Sequence, residues 1–89
     1  SSLALEDFLL DKLDFLSEVV IVKDKEHYPQ PILALAADAE MDWDAWWQAV
    51  EDLPHLNKAI LLDFDAIPRT ATMKVKRRKL EAMLANSLI

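Results

Sequence analysis

The feature that most constrains this chain is an absence: its 89 residues contain no glycine. Average usage of about 7% would supply roughly six. Glycine enters the left-handed backbone region without steric cost, so every turn here has to be made by other means. The stretch Asp24-Lys25-Glu26-His27-Tyr28-Pro29-Gln30-Pro31 supplies one such turn, with two prolines fixing φ. The same absence removes a class of function. A Gly-rich phosphate loop of the P-loop or dinucleotide type cannot be built, so any nucleotide is held mostly by something else.

Charge is distributed as unevenly as glycine. Residues 69–79 hold six Lys or Arg and no Asp or Glu, whereas the rest of the chain holds four basic and sixteen acidic residues. The net charge of −6 therefore divides into +6 and −12, an asymmetry that suggests an anionic ligand for the basic element. The commoner explanation of such a cluster is a solvated helix start, and Lys76, Arg77 and Lys79 fit that plain reading. Lys74 differs. Pro68 fixes φ, cannot donate to a sheet ladder, and so opens a loop after the apolar run 59–64. Lys74 rides on that loop ahead of the helix, where a flexible ammonium can be delivered to a phosphate or carboxylate as a point charge.

Eighty-nine residues make one small domain, able to bury about 60 to 65% of its extended-chain surface. No repeat, linker or low-complexity tract interrupts residues 1–89, so they read as a single packed unit. No apolar run approaches the roughly 20 residues of a membrane span. The absence of cysteine excludes disulfides and thiolate metal sites, and the separated His27 and His55 offer no ligand cluster, so no metal site is expected. A cytoplasmic setting fits best. The opening is acidic and amphipathic where a secretory leader would be basic. Ser1-Ser2 reads as a fragment boundary or cloning remnant.

The periodicities predict an α+β fold in the order αββαβα, a small three-stranded sheet flanked by helices. Leu5, Phe8, Leu9, Leu13 and Leu16 lie at helical spacing with Glu6, Asp7, Asp11 and Lys12 between them, predicting an amphipathic helix over about 3–14. The runs 19–22 and 32–37 suit strands buried on both faces, central or nearly so. Asp42 is placed to cap a second helix carrying Trp43, Trp46, Trp47 and Val50 at i, i+3, i+4 and i+7, a stripe more often core than binding platform. Residues 58–63 predict a third strand. Residues 76–86 predict a last helix with Leu80, Met83, Leu84 and Leu88 facing inward.

The segment Ile67-Pro68-Arg69-Thr70-Ala71-Thr72-Met73-Lys74-Val75-Lys76-Arg77-Arg78-Lys79-Leu80 resembles the closing motif of the adenylate-forming enzymes, the acyl- and aryl-CoA ligases and their relatives. That motif reads Leu-Pro-Arg-Thr-x-x-Gly-Lys-Ile-x-Arg-x-x-Leu. Pro68, Arg69, Thr70, Lys74, Val75, Arg77 and Leu80 fit it, and Met73 stands where the family has glycine. The order of elements is similar to that of the family's mobile C-terminal lid. The resemblance covers nearly the whole chain, although only the final motif is specific.

If the resemblance holds, the chain belongs to a two-step enzyme that makes an acyl-AMP from a carboxylate and ATP, then transfers the acyl group to a thiol. Lys74 corresponds to the lysine that serves the first step. Arg69, Thr70, Lys76 and Arg77 become candidates for binding substrate, nucleotide or CoA phosphate. ATP with Mg2+, and CoA or the phosphopantetheine of a carrier protein, are implied for the full enzyme and not for this chain alone. The family's N-terminal ligase domain, hinge and Gly-rich hairpin are absent, so that domain is the implied partner, with an acyl carrier protein second. Survival of the sequence around Met73 favours a negative φ there, which methionine tolerates.

The competing hypothesis is an interaction module that uses the Trp-rich helix or the basic helix to bind a protein or nucleic acid. A pI of about 4.7 is wrong for a nucleic-acid binder.

Overall fold

The computed structural model describes residues 2–89; Ser1, part of the boundary noted above, lies outside the described residues. The elements are α1 (Ser2–Lys12), β1 (Leu16–Lys23), β2 (Pro29–Leu35), α2 (Trp43–Val50), β3 (Ile60–Leu61), a single 3-10 turn (Phe64–Ala66) and α3 (Arg77–Ala85), which is the α+β order αββαβα. No described helix is long and apolar enough to cross a membrane.

The sheet order is β1-β2-β3, with β1 antiparallel to β2 and β3 parallel to it. Alternation along the strands builds two cores. Val19, Ile21 and Leu33 face Leu9 of α1, Leu13 just beyond it, and Trp46 and Ala49 of α2. Val20, Val22, Ile32 and Ala34 face Leu80 of α3 and Ile67 from the loop before it. Both strands are thus buried on both faces, as their continuous apolar runs predict.

Several boundaries differ from expectation for definite reasons. β1 is an edge strand, not a central one, and its outward amides are covered by acidic side chains: the Ile21 N–H donates to Glu6 (2.7 Å) and the Lys23 N–H to Glu81 (2.8 Å). β3 pairs over two residues only. The Leu33 carbonyl accepts from Leu62 N–H, so β3 lies on the side to which alternate residues Pro31 and Pro29 also turn, and neither proline has an N–H to extend the ladder. The Gln30 amide instead donates to the Lys58 carbonyl at 2.7 Å.

The Asp42 carboxylate accepts from Ala45 N–H at 3.0 Å and caps α2 as expected. Its tryptophan stripe divides: Trp46 is 1% exposed, while Trp43 and Trp47 stack on each other at the surface with centroids 6.3 Å apart. Phe8 and Leu88, expected in the core, are exposed. Glu6, expected on the polar side of α1, is buried.

Among the described residues, four occupy the left-handed region that glycine would normally fill: His27, Asp38, Met73 and Ser87. Met73, at φ 69°, overturns the expectation of a negative φ.

Candidate functional site

Residues 70–74 form a tight turn between Arg69 and Val75, which bridge in antiparallel fashion. The Met73 N–H donates to the Thr70 carbonyl at 2.9 Å, and the Thr70 N–H to the Lys74 carbonyl at 2.7 Å. A turn closed in this way, followed by a left-handed residue, is the three-residue hairpin that ends in a bulge, and its left-handed position is the one glycine fills best. Position 73 is that position. The backbone geometry therefore explains why glycine suits this position, and what methionine costs there, about 1 kcal/mol of local strain. Met73 is 59% exposed and belongs to neither apolar cluster.

Lys74 follows at the end of the turn, exposed, and its ammonium has no hydrogen-bond or ion-pair partner among the described residues. Its backbone is held. The Lys74 N–H donates to Thr70 Oγ1 at 3.2 Å, and that oxygen lies 3.1 Å from Thr72 Oγ1. Two residues on, the Lys76 N–H donates to the Pro68 carbonyl at 2.8 Å, closing the base of the loop. Lys76 itself is exposed and likewise without an ionic partner among the described residues.

The two arginines are placed differently. Arg69 Nη1 donates to Glu18 Oε2 at 2.9 Å, its side chain is only 10% exposed, and its guanidinium stacks over the Phe64 ring at 3.9 Å. Its Nε and Nη2 are buried with no acceptor among the described residues. Arg77 grips Glu6 with two parallel hydrogen bonds of 2.7 Å each, while Glu6 Oε2 also takes the Ile21 amide. These Glu6 bonds raise the Arg77 pKa above its ordinary value against the opposing effect of burial. Arg77 is therefore not part of a solvated face: it fastens the start of α3 to α1 and the edge of β1. The loop that presents Lys74 is pinned on its incoming side by Arg69–Glu18 and on its outgoing side by Arg77–Glu6.

Glu6 and Glu18 were not candidates on sequence grounds. Glu6 had a readable signal, since it shares a helical stripe with Leu9 and Leu13 and so lies on the core side of α1. Glu18 had none.

No family model matches the chain. Over 84 residues it is 34% identical to a 3-amino-2-hydroxy-4-methoxybenzoate diazotase of Streptomyces cremeus, a stretch that is 94% of this chain and 15% of that protein. The chain thus resembles a domain-sized part of a larger enzyme.

Proposed function

We propose that this chain is the C-terminal lid of an adenylate-forming acid–thiol ligase and that Lys74 is its adenylation lysine. The observation that carries the reading is the pairing of a free, exposed ammonium with a clamped loop base. In the first half-reaction a carboxylate oxygen attacks the α-phosphorus of ATP, forming the acyl-AMP and expelling pyrophosphate. Two anions must approach, and the Lys74 ammonium between them offsets their repulsion most as charge develops in the transition state. In the second half-reaction a thiol, of CoA or of a carrier protein, displaces AMP and loses its proton. The N-terminal ligase domain of the same enzyme supplies the rest of the site. Lys76 is the further exposed cation placed to meet a phosphate. Mg2+ is implied with ATP for the full enzyme.

The test uses the full-length parent enzyme. Lys74→Ala should slow pyrophosphate release by about 10²- to 10³-fold, the usual loss for one transition-state charge stabiliser, and largely spare thioester formation from pre-made acyl-AMP. Equal loss in both half-reactions, or no loss in the first, sinks the assignment.

A second reading follows the name of the Streptomyces cremeus relative: the parent enzyme would act as a diazotase on an aminobenzoate. Mass spectrometry of the products made from ATP and an aminobenzoate with a thiol, and in parallel with nitrite to supply the second nitrogen of a diazonium group, separates the two. A thioester supports the ligase reading; a diazonium product supports the other.

A further inference from the structure

We propose that Thr70 is a positioning residue for Lys74, acting through its hydroxyl; this rests on the reading of Lys74 as the adenylation lysine. Of the hydrogen bonds that close the turn, two are made by the Thr70 backbone and would survive any substitution that keeps the fold. The third is specific to the side chain: Thr70 Oγ1 accepts the Lys74 N–H at 3.2 Å. That bond fixes the peptide plane from which the Lys74 side chain departs. A lysine side chain is long and has many rotamers, so the direction in which it leaves the backbone decides which volume the ammonium searches. Holding it there lessens the ordering needed at the moment of reaction.

Two further observations support the assignment. Thr70 Oγ1 accepts the Lys74 amide at 3.2 Å and shares a proton with Thr72 Oγ1 at 3.1 Å, so the hydroxyl is engaged within the turn on both sides. The turn between β1 and β2 provides an internal parallel. There Asp24 Oδ1 accepts the Tyr28 N–H at 2.9 Å, and the Asp24 backbone makes the same two bonds to Tyr28 and His27. A side-chain acceptor at the first position of the turn, reaching the amide of the fifth, is how this chain holds both.

The experiment is a double-mutant cycle on the full-length enzyme with Thr70→Val and Lys74→Ala, reading each half-reaction, the KM for ATP and the melting temperature. Thr70→Val keeps the branched shape and removes the acceptor. It should slow acyl-AMP formation roughly 10-fold, below the ~10²-fold of a 1 Å misplacement, with the KM for ATP, the thioester step and the melting temperature little changed. Thr70→Ser should restore the rate. In the Lys74→Ala background Thr70→Val should have no further effect. The proposal is overturned by an equal loss in both backgrounds, by a raised KM for ATP at unchanged kcat, which marks phosphate binding, by failure of Thr70→Ser to rescue, or by no effect at all. If Lys74→Ala alone leaves the first half-reaction intact, the reading of Lys74 falls and this proposal with it. If Lys74→Ala slows that step but Thr70→Val acts additively, only the present proposal falls.

Discussion

The turn at residues 24–28 and the turn at 70–74 share their closing backbone hydrogen bonds, a left-handed fourth residue and a side-chain acceptor on the first. Their surroundings differ. The first joins β1 to β2 at the end of a long ladder that closes at Lys23 and Pro29. Its acceptor is a carboxylate that also takes the Glu26 amide at 2.8 Å and the Asn57 side chain at 2.8 Å. The second stands outside the sheet on one isolated bridge, with a hydroxyl as its acceptor. The same local device therefore serves in one place to finish a hairpin and in the other to hold out a lysine. The difference lies in what flanks the turn, because a ladder supplies its own support and an isolated bridge has to borrow it from ion pairs.

The largest effect that separates the two turns should come from Arg77→Ala, which removes the clamp on the outgoing side of the second turn only and leaves buried Glu6 with the Ile21 amide alone. Urea unfolding should show a loss of about 2 kcal/mol, below the 3–5 of fully buried pairs because the Arg77 side chain is 37% exposed. Hydrogen exchange should quicken at Lys74 and Lys76, whose amides are bonded within the second turn and at its base, and stay unchanged at Tyr28. Equal quickening at both turns would break the comparison.

A smaller effect concerns the acceptors. The Tyr28 amide above all holds the Asp24 carboxyl below its ordinary 3.8, with desolvation opposing and Asn57, the Glu26 amide and His27 adding to it. A lowered folded value means stability that is complete above 3.8 and is lost as pH falls through that lower value. Asp24→Asn should accordingly lower the melting temperature at neutral pH, and the gap from the parent chain should close in acid. The Thr70 hydroxyl does not titrate in this range, so any gap for Thr70→Val should not close with pH. A pH-independent gap for Asp24→Asn would remove the distinction between carboxylate and hydroxyl.

The smallest effects lie at the left-handed positions. Met73→Gly should stabilise the chain by about 0.5 to 1 kcal/mol, relief of strain less the entropy cost of glycine. His27→Gly should gain less than half of that, since histidine is among the residues enriched in this region. On the proposed ligase reading Met73→Gly in the full-length enzyme also reports on function: faster acyl-AMP formation would mean that methionine impairs this loop.

What could be read from the sequence alone was whatever repeats over a few residues. The continuous apolar runs 19–22 and 32–37 marked two doubly buried strands, Asp42 marked the start of α2, and Pro68 with the basic run behind it marked an exposed lysine on a loop before α3. Each follows from neighbours within a turn or two of chain, where spacing and φ restriction act directly. The missing glycines foretold turns made by other residues, but not that Met73 would sit at a left-handed position, because the hydrogen-bond closure of its turn had to be seen. Only the tertiary structure decided which charges serve the fold. Arg77 meets Glu6 across 71 residues and Arg69 meets Glu18 across 51. Such pairings are set by how the helices and loop pack over the sheet and leave no local period, so arginine and lysine that look alike in the basic run are sorted into clamps and free ammonium groups only when the chain folds.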